Sequence, residues 1–289
     1  MASTDFLTQV KFYLKSIIFG SLIAGCALYG VIASLILRLI GKVEYAQYTV
    51  ARAFYYTFKF FLGVDIKIKN EHYLKDLPAI VISNHQSALD IHILGRIFQP
   101  GYTVTSKKSL KYVPFLGWFM ALSGTFFLDR AKSTKAKKVL DGALASLRKE
   151  KRALFMFPEG TRSAYESLQL LPFKKGAFHL AKQAKIPIIP VVVSNTSTIF
   201  NSKNKIFNRG EINIEVLPPV STAELETNED VSKCCEDVRN DMLKVLKKNG
   251  FSTAPGVKPN EEYVPPENEN PTDTEVEVIS EETPLISGD

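Results

Sequence analysis

The stretch Asn84-His85-Gln86-Ser87-Ala88-Leu89-Asp90, entered from the apolar run Ala79-Ile80-Val81-Ile82, decides how this chain is read. It sets a histidine and a carboxylate five positions apart. In one continuous α-helix, at roughly 100° per residue, their side chains would point about 140° apart. For the two to meet, a strand has to end and a helix has to begin between them. His85 then lies on the connection and Asp90 in the first helical turn, where its carboxylate can hold and polarise the imidazole. That is half of a catalytic triad, with no side-chain nucleophile beside it. The same residues also fit a plain helix start, with Ser87 as N-cap and an acid three positions on, ahead of the apolar Ile91, Ile93 and Leu94.

Outward from this stretch, β-rich runs alternate with helical ones. Strands are predicted at 79–83, 102–106, 124–128, 153–157, 187–193 and 211–217. Ala136, Val139, Leu140, Ala143, Leu144 and Leu147 recur at helical spacing. Phe178, Leu180, Ala181 and Ala184 indicate a second helix before Pro187, and 229–248 a third that stops at Gly250. The expectation is an α/β fold, with a mixed, partly parallel sheet flanked by helices and an active site at the strand ends. With 289 residues and 45% hydrophobic content, the chain can bury a sizeable core.

The apolar residues are unevenly spread. Ser16 to Leu37 carries no charge, and its 22 residues give roughly 33 Å of helix, enough to cross a bilayer core. It reads as a membrane anchor; a signal peptide is the alternative, but its apolar region is usually shorter, about 7 to 15 residues. Residues 53–62 are aromatic with a single Lys59 and suit the headgroup boundary, either as the second member of a helical pair or as a buried helix. The expected division is a membrane-anchoring segment over 1–66, a catalytic domain over 67–250 and a disordered acidic tail over 251–289.

The formal charge of +6 hides an asymmetry. Residues 260–289 hold ten acids and no Lys or Arg, so residues 1–259 carry 36 basic against 20 acidic side chains, or +16. The tail is rich in Pro, Glu, Asn and Thr, the composition of a disordered segment. A basic body joined to a membrane anchor fits anionic lipid or phosphate-bearing ligands, and no nucleic-acid-binding module accompanies it. Cys26, Cys234 and Cys235 are too few and scattered for a disulfide framework or a zinc site. No metal constellation forms among His72, His85, His92 and His179, and His92 and His179 read as packing or surface residues.

Three further blocks follow the first motif. One is Gly124-Thr125-Phe126-Phe127-Leu128-Asp129-Arg130, preceded by Lys107-Lys108-Ser109-Leu110 and Val113-Pro114-Phe115-Leu116-Gly117. The others are Phe157-Pro158-Glu159-Gly160-Thr161-Arg162-Ser163 and Ile186-Pro187-Ile188-Ile189-Pro190-Val191. In order and spacing, over about residues 75–195, these blocks resemble the membrane glycerolipid acyltransferases, in particular the 1-acylglycerol-3-phosphate acyltransferase family.

The resemblance implies transfer of a fatty acyl group from acyl-CoA, or from acyl carrier protein, to the free hydroxyl of a lysophospholipid. For a lysophosphatidic acid acceptor the product is phosphatidic acid. An alcohol is a poor nucleophile at neutral pH, and a neutral His85 can take its proton while Asp90 fixes the tautomer and stabilises the imidazolium. No Gly-x-Ser-x-Gly elbow is present, which favours direct transfer over an acyl-enzyme. The resemblance makes Glu159, Gly160, Thr161 and Arg162 the acceptor-binding block, and a guanidinium such as Arg162 suits a phosphate. Glu159 orients the site or contacts the glycerol, Lys107 adds a phosphate contact and Arg130 shapes the acceptor region. Pro190 and its neighbours read as core strand. No cofactor or metal is expected, with acyl-CoA acting as a substrate. The expected partners are acyl-CoA, lysophosphatidic acid and membrane lipids, and the expected location is the endoplasmic reticulum membrane, with lipid droplets as a second site. An acceptor with another headgroup, glycerol 3-phosphate, a lipid hydrolase and a silent lipid-binding scaffold are the alternatives.

Overall fold

Two helices open the chain in the computed structural model, which describes residues 6–128, 144 and 147–258. They are α1 (Phe6–Leu39) and α2 (Ala46–Leu62). The order continues with β1 (Val64–Lys69), β2 (Ala79–Ser83), α3 (Asp90–Ile97), β3 (Tyr102–Lys107), α4 (Leu116–Leu122), β4 (Phe126–Leu128) and β5 (Ala153–Met156). It ends with α5 (Gly176–Ala184), β6 (Ile188–Val193), β7 (Phe200–Asn201), β8 (Ile206–Phe207), β9 (Gly210–Val216) and α6 (Asn228–Asn249). Seven strands form one sheet in the order β1-β9-β6-β2-β5-β3-β4, and β7 pairs with β8 in a small hairpin. The five strands from β6 to β4 are parallel, β9 runs antiparallel to β6, and β1 lies parallel to β9 at the edge. This is the mixed, mostly parallel α/β sheet that the alternation of elements predicts.

The central strand shows why both faces are covered. All five residues of β2 are buried, as expected for a parallel strand with helices above and below. Because successive side chains point to opposite faces, Ala79 and Val81 enter a core shared with Phe54, Phe58 and Ile93 of α2 and α3. Ile80 and Ile82 enter the other core, with Phe178 and Ala181 of α5 and Val238 and Met242 of α6. Helix α6 starts at a reciprocal cap between Thr227 and Asp230 and stops at Gly250.

Helix α4, strand β1 and the β7–β8 hairpin are not among the elements predicted from the sequence. The helix expected over 136–147 and the acidic tail fall largely or wholly outside the described residues. His92 is fully buried; its ring stacks on Phe58, with centroids 4.1 Å apart, and its Nε2 lies 3.0 Å from the Val64 carbonyl oxygen. Burial pulls its pKa down to about 3, so it is a neutral packing residue, while His179 is exposed on α5.

Helix α1 is long and apolar enough to cross a membrane, and only 28% of its most apolar stretch is buried. It packs along α2, so the hydrophobic segments do form a helical pair. Helix α2 buries Phe54, Tyr55, Phe58 and Leu62 and leaves Tyr56, Phe60 and Phe61 exposed. It is therefore a core helix on one side and an exposed aromatic surface on the other. Where α3 crosses α2, Gly95 has no room for a side chain, because a Cβ there would lie 2.9 Å from the Ala51 carbonyl oxygen and 3.2 Å from Tyr55 Cβ. Gly95→Ala is expected to push the two helices apart and lower stability by about 1–3 kcal/mol. An unchanged unfolding midpoint would contradict that close fit.

Candidate active site

Three adjacent parallel strands, β2, β5 and β3, deliver the candidate groups from their C-terminal ends, where open α/β sheets bind ligands. The connection after β2 carries His85, and Asp90 is the first residue of α3. The break between strand and helix brings them together, with His85 Nδ1 2.6 Å from Asp90 Oδ2. The same carboxylate oxygen accepts the backbone N–H groups of Gln86 at 2.9 Å and Ser87 at 3.1 Å. Three donors thus converge on one buried oxygen, and the bond to it places the imidazole proton on Nδ1. Nε2 is then free to accept a proton. The helix-start reading also holds in part, since Asp90 reaches back to the Ser87 N–H, but the Ser87 hydroxyl accepts from Leu89 instead of capping α3.

The loop is fixed from behind by two amides. Asn84 exchanges a pair of hydrogen bonds with the Val193 backbone, both at 2.9 Å. Gln86 donates to the Val193 and Ser194 carbonyls and accepts the Thr196 N–H. Phe157, just past β5, stacks on the His85 ring at 3.9 Å between centroids and an interplanar angle of 13°. Asn84, Gln86 and Phe157 all lie in the motif blocks, but nothing in their residue types alone marks them as supports of the histidine.

Glu159 is buried, with 3% of its surface exposed, and its two oxygens accept the N–H groups of His85 at 2.7 Å and Leu171 at 3.0 Å. Burial pushes its pKa up to about 7, against those two donors, and the charge of Asp90 pushes the same way. The His85 and Gln86 carbonyls in turn accept the Ser163 and Ala164 N–H groups. The turn after β5 is thereby laced to the histidine loop. Gly160 has φ +73°, and a Cβ there would meet the Lys174 side chain at 2.9 Å. Thr161 and Arg162 are exposed.

His85, Asp90 and Phe157 open onto a cavity of about 340 Å³, within the usual range of roughly 300–1,000 Å³ for small-molecule sites. Its walls are mostly apolar: Ile23, Cys26 and Ala27 from α1, Val50, Ala51 and Phe54 from α2, Ile91 and Leu94 from α3, and Leu116, Phe119 and Met120 from α4. Lys107 and Arg162 also line it. The structure therefore joins His85, Asp90, Lys107 and Arg162 on one cavity. Glu159 lies behind it and Thr161 outside it, while Arg130 falls outside the described residues.

Residues 65–194 match the profile of a family described as Acyltransferase. Over 243 residues, 84% of this chain and 80% of the other, the sequence is 55% identical to a Saccharomyces cerevisiae protein named 1-acyl-sn-glycerol-3-phosphate acyltransferase. It is 32% identical over 257 residues to the Homo sapiens 1-acyl-sn-glycerol-3-phosphate acyltransferase beta, covering 86% of this chain and 91% of that one. The crystal structure of the 1-acyl-sn-glycerophosphate (LPA) acyltransferase from Thermotoga maritima aligns with a TM-score of 0.64 at 25% identity, over 83% of this chain and 95% of that one.

Proposed function

This chain belongs to the 1-acyl-sn-glycerol-3-phosphate acyltransferase family, and we propose that it transfers a fatty acyl group from acyl-CoA to the sn-2 hydroxyl of 1-acyl-sn-glycerol 3-phosphate, giving phosphatidic acid. The observation that carries this reading is the His85–Asp90 pair opening on an apolar cavity that also holds two cations, Lys107 and Arg162. No cofactor takes part. The acceptor hydroxyl gives its proton to His85 Nε2 as its oxygen attacks the thioester carbonyl. The tetrahedral adduct then expels the coenzyme A sulfur, and the imidazolium returns the proton to it. Asp90 stabilises the imidazolium between these two transfers. Arg162 and Lys107 hold the acceptor phosphate, while the acyl chain lies against the apolar walls.

The long apolar helix supports a membrane-associated enzyme of phospholipid and triacylglycerol synthesis, which we assign to the endoplasmic reticulum membrane. A panel of lysophosphatidate, glycerol 3-phosphate and lysophosphatidylcholine, each with labelled acyl-CoA, tests the acceptor. Preference for lysophosphatidylcholine would move the reading to phospholipid remodelling, and release of free fatty acid would make the protein a hydrolase. In the same assay Arg162→Ala is expected to raise KM for lysophosphatidate at least about tenfold with a smaller change in kcat, through loss of a charge-assisted phosphate contact. An unchanged acceptor dependence would remove Arg162 from that role.

A further inference from the structure

A second cavity, of about 350 Å³, lies where the first turns of α1 meet the β7–β8 hairpin and the start of β9. Lys11, Lys15, Lys205 and Arg209 line it, and among the described residues no carboxylate does. It shares no lining residue with the cavity at His85. Four cations around one hollow repel one another, so the arrangement is favourable with an anion between them. Two of the four are held in place by the protein. Lys15 Nζ donates to the Phe207 carbonyl at 2.8 Å, which leaves ammonium protons for another acceptor. Lys205 Nζ sits 5.4 Å from the centroids of both the Phe12 and Tyr13 rings.

The position of the cavity identifies the anion. Lys15 is the last charged residue before the uncharged run of Ser16–Leu37, so the four cations stand where apolar helix gives way to polar chain, at the depth of lipid phosphates. At roughly 100° per residue, Thr8, Lys11, Phe12 and Lys15 share one side of α1, while Val10, Leu14 and Ile17 share the other and are exposed. Lys15 also precedes Cys26 of the catalytic cavity by eleven residues, roughly 16 Å of helix rise.

We propose that this hollow seats the phosphate of an anionic membrane phospholipid that is not consumed in the reaction. Such a lipid would tie α1 and the hairpin together at the bilayer surface and fix how the protein sits there. The test uses the full-length protein in detergent, titrated with phosphatidylglycerol or phosphatidylcholine, with bound lipid counted by native mass spectrometry. Wild type is expected to bind phosphatidylglycerol the more tightly. Lys11→Gln/Arg209→Gln should weaken that lipid about tenfold or more. A control with the same loss of charge on α6, Lys233→Gln/Lys244→Gln, should keep wild-type affinity. Should the double variant fail to fold, Lys205→Gln alone should show the same direction of change. Unchanged phosphatidylglycerol affinity in the pocket variants, the result expected if the chain's own acidic segment 261–289 fills the hollow, would overturn the proposal. Equal weakening in the α6 control would also overturn it, by reducing the effect to diffuse charge. Displacement of the lipid by an equal concentration of soluble glycerol phosphate would overturn the lipid assignment in favour of a free-phosphate site.

Discussion

His85→Ala is expected to cut acyl transfer by about 10²–10⁴-fold, the usual contribution of a positioned general base, while leaving the protein folded. The fold should persist because the ring stands at the cavity edge, and Asp90 keeps its bonds to the Gln86 and Ser87 N–H groups without it. Turnover with labelled acyl-CoA, together with near-ultraviolet circular dichroism, separates the two effects. Asp90→Asn is expected to lose a comparable factor by a different route. An amide oxygen can still receive the converging N–H donors, but it offers no charge to the imidazolium, and the corresponding change in a Ser-His-Asp triad costs about 10⁴-fold. Wild-type turnover in the His85→Ala protein would remove the histidine as base, and with it the proposed chemistry.

Glu159→Ala is expected to lower kcat by about 10²-fold with little change in acceptor KM, because this carboxylate is a positioning residue. It does not itself line the cavity; it holds the His85 N–H and ties the histidine loop to the segment at Leu171. Removing it leaves two buried N–H groups unpaired, at about 1–3 kcal/mol each, and frees His85 to shift by a fraction of an ångström to an ångström. Glutamine is not a rescue here, since its NH₂ would face one of the two donors. The pH dependence has a definite sign. With a folded pKa raised to about 7 from 4.5, Glu159 favours the folded state most fully below pH 4.5, and that advantage is lost as pH rises through 7. The stability of wild type relative to Glu159→Gln should therefore fall between about pH 5 and pH 8, by on the order of 3 kcal/mol. A constant gap in unfolding free energy across that range would contradict the raised pKa. A rise in acceptor KM with kcat preserved would instead make Glu159 a substrate contact.

What could be read from the sequence follows from how local each feature is. A single helix would hold the His85 and Asp90 side chains about 140° apart, so once the two are read as partners, the break and the loop that let them hydrogen-bond follow from a few letters. Strand β2 announces itself by a run of β-branched residues between covered faces. Strand β1 also had a signal, because Val64-Asp65-Ile66-Lys67-Ile68-Lys69 alternates with period two as an edge strand should, but it adjoins an aromatic helix that masks it. Two-residue strands such as β7 and β8 are too short for any period to register. The choice between the two readings of Glu159, orienting the site or contacting the glycerol, could not be made from sequence, because a carboxylate in a turn looks the same whether it faces a ligand or the backbone of a neighbouring loop. The cavity had no local signature at all, since its walls come from four helices, β3 and the connections after β2 and β5.

A shortened version that begins at the family border would lose part of the cavity wall. The segment matched by the family profile begins at residue 65, yet Ile23, Cys26, Ala27, Val50, Ala51 and Phe54 of the two preceding helices close one side of the chamber. Trimming the polypeptide at that border would strip away the greasy flank along with the tether, leaving an open trough into which bulk water could reach a bound thioester. The expected outcome is a protein that loses transferase output even toward detergent-dispersed substrates, and that no artificial lipid attachment, such as a histidine tag on a nickel-bearing vesicle, would restore.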